Sequence, residues 1–255
     1  MKVSTCIRLV VLALAPSIWA TPEQLATEYN TATRPASKLE NDFYDWNTRH
    51  QAVCAIQKTI NPNIVLIGDS ITHLWGGEPR DKHCRGTQAF EETFAGYRVL
   101  NMGFGWDRTQ NVLWRLENGE MDGLTPDLAV LLIGTNNTSG TPNARNNTPA
   151  EIAEGVRAIC DKVQAKSPKT KIVIMAVFPR GEKPNTGSRK LVDEINANIK
   201  PIANGKDRIF LDIGSQFLSA DGTISREVMG DFLHPTNKGY AIWGAALNPY
   251  LPPKK

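Results

Sequence analysis

Five short runs rich in valine, isoleucine and leucine constrain the fold of this chain more than any other feature. They lie at Ile64–Ile67, Tyr97–Asn101, Leu128–Ile133, Lys171–Val177 and Arg208–Asp212. Most of them lack the polar alternation of a half-exposed strand. Runs of this kind are typical of strands buried on both faces of a parallel sheet.

Helical patterns separate the apolar runs. Thr148-Pro149 offers a cap and a first-turn proline to a helix that runs to about Lys166. Other helices are predicted at Ala36–Gln57, Asp107–Asn118, Ser188–Ala203 and Thr236–Leu247. This alternation predicts a doubly wound, three-layer α/β/α sandwich around a five-stranded parallel sheet.

The composition is that of a soluble globular protein. Of the 255 residues, 41% are hydrophobic and 22% are charged. Without residues 1–20, 27 basic side chains face 26 acidic ones, a balance that gives no electrostatic footprint for nucleic acid. We expect a single globular domain at residues 63–255, with residues 21–62 packed on it as an N-terminal helical segment.

Residues 1–20 have the pattern of a secretory signal. Lys2 and Arg8 form a basic start, Leu9–Leu14 is apolar, and Ser17–Ala20 offers a cleavage region that would end after Ala20. The alternative is an uncleaved anchor, for which the apolar run is too short. The pattern predicts a secreted or periplasmic protein without stable membrane insertion.

Polar clusters follow the predicted strands at the points where the strands end. Ser70 follows the first strand, Asn101–Gly105 the second and Gly134–Asn137 the third, while Asp231 and His234 precede the last helix. Ligands of doubly wound sheets bind at the carboxyl ends of the strands. We therefore expect these four distant segments to meet at one edge of the sheet.

The side chains in these clusters have the chemistry of a nucleophilic hydrolase. Ser70 would be the nucleophile, His234 the base that takes its proton, and Asp231 the acceptor that orients the imidazole. A tetrahedral oxyanion also needs preorganised donors. The expected donors are the backbone N–H groups of Ser70 and Gly103 and the side-chain amide of Asn136.

Each cluster also has a plainer interpretation. Asp69-Ser70 is a common helix cap, and an Asp-x-x-His sequence is often a capping or surface pair. Gly134–Asn137 has the composition of a turn, and Asn136 begins a formal glycosylation sequon. Gly103 and Gly105 resemble an incomplete phosphate loop. The four signals together, in the order of the strands, favour one enzymatic site.

The motifs Gly68-Asp-Ser70, Asn101-x-Gly103, Gly134-x-Asn136 and Asp231-x-x-His234 resemble the four blocks of the SGNH (GDSL) hydrolase family. Val112–Glu120, Pro179–Asn185 and Asp231–Pro235 are also similar to segments of the platelet-activating-factor acetylhydrolase Ib-like esterases. The resemblance implies a flavodoxin-like fold, no cofactor or metal, and a preference for short acyl groups. It also implies a Ser70-His234-Asp231 triad and the oxyanion donors Ser70, Gly103 and Asn136.

The chain departs from those esterases near the expected site. Trp75–Arg85 looks inserted after the serine, and Phe104–Arg108 replaces a simpler glycine-rich stretch. The side chains predicted to stack on a sugar or bind its hydroxyls are Trp75, Phe104, Trp106, Asp107 and Arg108. Alternatively, the tryptophans pack their loop against the N-terminal helix. The first interpretation predicts an esterase of carbohydrate O-acetyl groups.

Two other functions are compatible with the sequence. One is a general short-chain carboxylesterase or lysophospholipase-type lipase, although Gly77–Arg85 and Ser139–Asn147 are polar for an acyl-binding groove. The other is a non-catalytic protein that binds a glycan or a partner on the same fold. The sequence leaves the oligomeric state open.

The cysteines allow two interpretations. Cys160 lies in an apolar helical stripe and is expected in the core. Cys54 and Cys84 would pair in an oxidising compartment or remain free thiols. Their spacing to histidines matches no zinc pattern.

Overall fold

Five parallel strands form the centre of the structure, a computed structural model that describes residues 29–254. The strands are β1 (Ile64–Gly68), β2 (Val99–Gly103), β3 (Leu128–Leu132), β4 (Lys171–Met175) and β5 (Arg208–Leu211). Their order across the sheet is β2-β1-β3-β4-β5. This is the flavodoxin-like order, so the predicted fold class is confirmed. The predicted signal sequence lies outside the described residues.

Seven α-helices accompany the strands within residues 29–254. They are α1 (Trp46–Ile60), α2 (Ser70–His73), α3 (Thr87–Thr93), α4 (Thr109–Glu117), α5 (Pro149–Lys166), α6 (Gly187–Ile199) and α7 (Asn237–Leu247). Helix α5 has the predicted bounds because Thr148 and Glu151 form a reciprocal capping box. None of the helices in this part of the chain is long and apolar enough to cross a membrane.

Alternate side chains of each strand point into two buried layers, one on each face of the sheet. Val65 and Ile67 face a core that contains α1, α4, α5 and α6, whereas Ile64 and Leu66 face a core that contains α2, α3 and α7. Each strand is therefore covered on both faces, which explains why the strands read as unbroken apolar runs. The layers leave the carboxyl ends of the strands to be lined by loops.

The long N-terminal helix predicted at Ala36–Gln57 is wrong at both ends. Helix α1 begins only at Trp46, because the Asp45 side chain accepts the Thr48 N–H at 2.7 Å and caps it. The ten residues before it are not helical, and Asn111 Nδ2 donates to the Ala36 and Ser37 carbonyls. Tertiary hydrogen bonds thus hold this segment along α4 in place of helical ones.

The three cysteines of the described region are all free. Cys54 Sγ contacts the Asn118 carbonyl at 3.9 Å, and Cys84 Sγ contacts the His73 carbonyl at 3.7 Å. The free-thiol interpretation is therefore the one that the structure bears out. Cys160 is buried in the core, as predicted.

Candidate active site

Ser70 is the first residue of α2, directly beyond the end of β1. Asp69 Oδ1 accepts the Ile71 N–H at 2.9 Å, so Asp69 caps the helix, as its plainer interpretation predicts. Gly68 allows the tight passage from strand to helix, because a Cβ there would lie 2.2 Å from Thr72 Oγ1. The Ser70 side chain is thereby held at the edge of the sheet, with 9% of the residue exposed.

Ser70, His234 and Asp231 form one hydrogen-bonded chain. His234 Nε2 lies 2.9 Å from Ser70 Oγ, and His234 Nδ1 lies 2.9 Å from Asp231 Oδ2. With Nδ1 protonated, Nε2 is the acceptor that a serine hydroxyl needs. The structure thus brings together the three residues that the sequence singled out from distant motifs.

The loop that carries Asp231 and His234 is held by the aspartate itself. Asp231 Oδ1 accepts the backbone N–H groups of Leu233 at 3.2 Å and His234 at 2.7 Å. Burial acts to raise the pKa of Asp231, but the hydrogen bonds from His234 and from Arg85 outweigh it and hold this pKa well below its usual range. The carboxylate therefore stays ionised at neutral pH. Phe232, between the two residues, has a φ of 60°, a strained conformation of the kind found at functional sites.

Asn136 lies directly beyond β3, at the start of a short 3₁₀ turn (Asn136–Thr138). Its Nδ2 donates to the Asp107 carbonyl at 3.0 Å, which fixes the amide plane and leaves the second N–H of that nitrogen for another acceptor. The residue is only 8% exposed. This geometry suits a preorganised donor.

The prediction that Gly103 donates to an oxyanion needs correction. The Gly103 N–H donates to Asn101 Oδ1 at 2.8 Å, so it is already engaged inside the sheet. A Cβ at this position would lie 2.2 Å from the His73 nitrogen. The glycine is therefore required because α2 packs directly on β2.

The turn Phe104–Asp107 offers a different backbone donor. The Asp107 N–H bonds the Phe104 carbonyl at 3.2 Å, and Trp106, at the third position, has a φ of 62°. A bulky residue in this left-handed conformation is strained by about 1–3 kcal/mol, which marks functional sites more often than ordinary turns. Within residues 29–254 the Trp106 N–H has no hydrogen-bond partner. The Asp107 carbonyl of this turn accepts the hydrogen bond from Asn136 Nδ2, so the turn and the Asn136 amide are neighbours.

Four of the five predicted substrate contacts are buried, so those predictions are wrong. Trp75 stacks on Trp243 at 4.3 Å, packing against α7 and not against the N-terminal helix of the alternative interpretation. Phe104 is covered by the Arg115 guanidinium at 4.0 Å. Asp107 accepts hydrogen bonds from Trp46 and Arg115, and Arg108 donates to the Arg145 carbonyl. All four stabilise the loop from within.

Trp106 is the predicted contact that remains accessible, with 40% of its surface exposed. Phe43 is exposed to a similar degree, 41%, and its ring packs on His83 at 4.6 Å. Asp42, its neighbour, packs on Gly105, next to Trp106. Sequence reasoning missed Phe43 because it assigned this residue to a helix.

Comparison with known proteins places the chain in a class of hydrolases. Residues 66–242 match the model of the GDSL-like lipase/acylhydrolase family, and the chain belongs to this family. Platelet-activating factor acetylhydrolase IB subunit alpha1 from Homo sapiens is 33% identical to it over 230 residues, 89% of this chain and 92% of the relative.

Solved structures share the fold at lower sequence identity. A GDSL-like lipase from Bacteroides thetaiotaomicron has a TM-score of 0.60 and 18% identity, covering 79% of this chain and 97% of that one. A variant of an acetyl-xylooligosaccharide esterase from Geobacillus Stearmophilus has a TM-score of 0.57 and 18% identity, covering 72% and 91%. These likenesses concern the fold alone.

Proposed function

We propose that this chain is a secreted serine esterase that removes short acyl groups, acetyl above all, from carbohydrate hydroxyls. The observation that carries the proposal is the chain of two 2.9 Å contacts from Ser70 Oγ through His234 to Asp231. In a family of lipases and acylhydrolases, this arrangement is the one that makes a serine nucleophilic.

The proposed reaction passes through an acyl-enzyme. His234 Nε2 takes the Ser70 proton as Oγ attacks the ester carbonyl, and the carbonyl electrons move onto oxygen. The Asn136 amide and the N–H groups of Ser70 and Trp106 would stabilise this oxyanion. The intermediate collapses as His234 gives its proton to the leaving alcohol. Water, activated by the same imidazole, then releases acetate and restores Ser70.

Aromatic surface beside the site supports a carbohydrate as the alcohol half. Trp106 presents an exposed indole from the strained turn, and Phe43 is exposed on the segment that packs against that turn. The flat apolar faces of aromatic rings are suited to the apolar face of a pyranose. The acetylhydrolase and acetyl-xylooligosaccharide esterase names of similar proteins support the acetyl preference. The basic and apolar start of residues 1–20 supports secretion.

A chain-length comparison tests this function. We expect the purified protein to hydrolyse p-nitrophenyl acetate faster than p-nitrophenyl octanoate and to release acetate from acetylated xylan. Ser70→Ala should lose all three activities. Faster octanoate turnover would favour a lipase, and equal rates for Ser70→Ala and the wild type would exclude the esterase mechanism.

A further inference from the structure

A fourth charged side chain joins the hydrogen-bonded chain of Ser70, His234 and Asp231. Arg85 Nη1 lies 2.9 Å from Asp231 Oδ2, the same oxygen that accepts the hydrogen bond from His234 Nδ1. Asp231 Oδ1 accepts the two backbone N–H groups of its own loop. Four N–H donors therefore converge on one carboxylate, two on each oxygen.

We propose that Arg85 is a positioning residue of the esterase, which holds the Asp231 carboxylate in place for His234 and supplies a positive charge beside it. This inference rests on the proposed function of the Ser70 site. It assigns a role to the end of the segment Trp75–Arg85, which follows the serine helix.

Asp231 needs a contact from outside its loop because it is open to water. Its side chain is 44% exposed, so solvent competes for both carboxylate oxygens. Three of its four donors belong to residues 233 and 234 and would move together with the loop. Arg85 lies 146 positions away along the chain and is the one of the four donors that ties the carboxylate to another part of the fold.

The backbone that carries Arg85 is anchored to the nucleophile helix. The Arg85 N–H donates to the Leu74 carbonyl at 2.7 Å, and the Leu74 N–H donates to the Ser70 carbonyl at 2.9 Å. Gly86, the next residue, packs so tightly on Tyr240 that a Cβ would lie 2.2 Å from its ring. The guanidinium therefore extends from a fixed point, and it connects Ser70 to Asp231 by a route that does not pass through His234.

The charges around His234 give the arginine an electrostatic effect as well. Asp231 contacts the imidazole, and Asp42 approaches it from the segment before α1. Asp69, the buried neighbour of Ser70, adds little negative charge in the acid range because burial raises its pKa to about 7. Tyr240, on α7, is buried and stays neutral because burial raises its pKa well above the usual value. Arg85 is the cation in contact with the Asp231 carboxylate. Without it, Asp231 and Asp42 face the imidazole with no cation on the carboxylate, whereas the base that takes the serine proton has to be uncharged.

Kinetics of Arg85→Ala on p-nitrophenyl acetate test the proposal. We expect kcat/KM to fall roughly three- to tenfold, a range suited to a half-exposed charged hydrogen bond. We also expect the acid limb of the pH profile to move upward by about 0.3 to 1 pH unit. Arg85→Lys should keep the wild-type acid limb because it keeps the charge, and Arg85→Gln should show the shifted limb. Arg80→Ala, in the same segment, is the matched control and should change neither quantity.

A double-mutant cycle separates positioning from direct substrate binding. If Arg85 acts through Asp231, adding Arg85→Ala to Asp231→Asn should cause almost no further loss of kcat/KM. An equal loss in both backgrounds, or an acid limb that does not move in Arg85→Ala and Arg85→Gln, would overturn the proposal. If Arg85→Ala does not fold, the acid limbs of Arg85→Lys and Arg85→Gln are compared, and equal limbs would overturn the proposal. Activity of the wild type that persists in Ser70→Ala would instead refute the proposed function itself.

Discussion

Tyr240 Oη donates a 2.7 Å hydrogen bond to the Ile71 carbonyl, and it thereby joins the helix that follows His234 to the helix that begins with Ser70. Both partners are buried, and Tyr240 also stacks on Trp75 at 5.6 Å. The hydroxyl therefore fixes the spacing between the nucleophile helix and the helix that follows the base.

Removal of this hydroxyl should loosen the site without unfolding it. In Tyr240→Phe the buried Ile71 carbonyl loses its partner, which costs about 1–3 kcal/mol. We expect a lower Tm and a severalfold lower kcat on p-nitrophenyl acetate, with KM nearly unchanged because no substrate contact is removed. Tyr97→Phe, which removes a hydroxyl bonded to the Pro252 carbonyl, is the control. It should leave kcat unchanged, and an equal fall of kcat in both variants would contradict the account.

Asp231→Asn should separate the chemistry from the fold. The amide oxygen keeps the loop N–H groups that Oδ1 holds in the wild type, so the amide nitrogen faces His234 in place of Oδ2. This nitrogen can only donate a hydrogen bond. The imidazole then carries its proton on Nε2 and cannot act as the base for Ser70. We expect kcat to fall by a factor on the order of 10⁴, with a near-native circular dichroism spectrum. Activity close to that of the wild type would mean that another group orients His234.

The buried Asp69 should make stability depend on pH. Burial raises the pKa of Asp69 to about 7, against about 3.9 in an unfolded chain. Between about pH 4 and 7 the native protein thus keeps a proton that the unfolded chain has released, so this group lowers the free energy of unfolding as the pH rises through that window. Asp69→Asn removes the free-energy cost of ionising a buried carboxyl, and its amide oxygen can still accept the Ile71 N–H.

Urea denaturation at pH 4 and pH 8 tests this expectation. The free energy of unfolding of Asp69→Asn, relative to that of the wild type, should be higher at pH 8 than at pH 4 by about 1–3 kcal/mol. Asp45→Asn is the matched control, because Asp45 also caps a helix but its pKa is lowered by hydrogen bonds from Thr48. This control should show no such gain. A difference between Asp69→Asn and the wild type that is the same at both pH values would refute the role of burial.

Two substitutions at Trp106 distinguish its ring from its backbone strain. Trp106→Gly and Trp106→Ala both remove the exposed indole, so both should raise KM for acetylated xylooligosaccharides several-fold. Trp106→Ala keeps the backbone N–H in the same strained turn, so it should leave p-nitrophenyl acetate hydrolysis largely unchanged. Only glycine relieves the positive φ, so Trp106→Gly should be more stable than Trp106→Ala by about 1 kcal/mol. Unchanged KM values for the oligosaccharide would remove Trp106 from the substrate site.

The strands and the position of Ser70 were accessible from sequence for one physical reason. A strand buried on both faces must be apolar throughout, so β1 and β3 stand out, and polar residues directly after them must lie at the carboxyl edge of the sheet. The position of Ser70, close behind β1, follows from this topology, whereas His234 lies 23 residues beyond the end of β5 and was assigned through its Asp-x-x-His motif.

The details of the site depend on tertiary contacts that periodicity does not encode. Trp75 and Trp106 are both tryptophans in loops near the site, and the sequence does not distinguish them. Trp75 is buried because it stacks on Trp243, whereas a strained turn exposes Trp106. The occupied N–H of Gly103 depends on the rotamer of Asn101. The contact of Arg85 with Asp231 joins positions 146 residues apart, and no local pattern at Arg85 points to it.

The most direct measurement of the central claim is covalent trapping of the nucleophile. The protein is treated with a fluorophosphonate that carries a short alkyl group, and residual p-nitrophenyl acetate hydrolysis is followed alongside peptide mass spectrometry. We predict one adduct per chain, on Ser70, that forms in proportion to the lost activity and does not form in Ser70→Ala. Complete inactivation with the adduct on another residue, or with Ser70 unmodified, would contradict the assignment of Ser70 as the nucleophile.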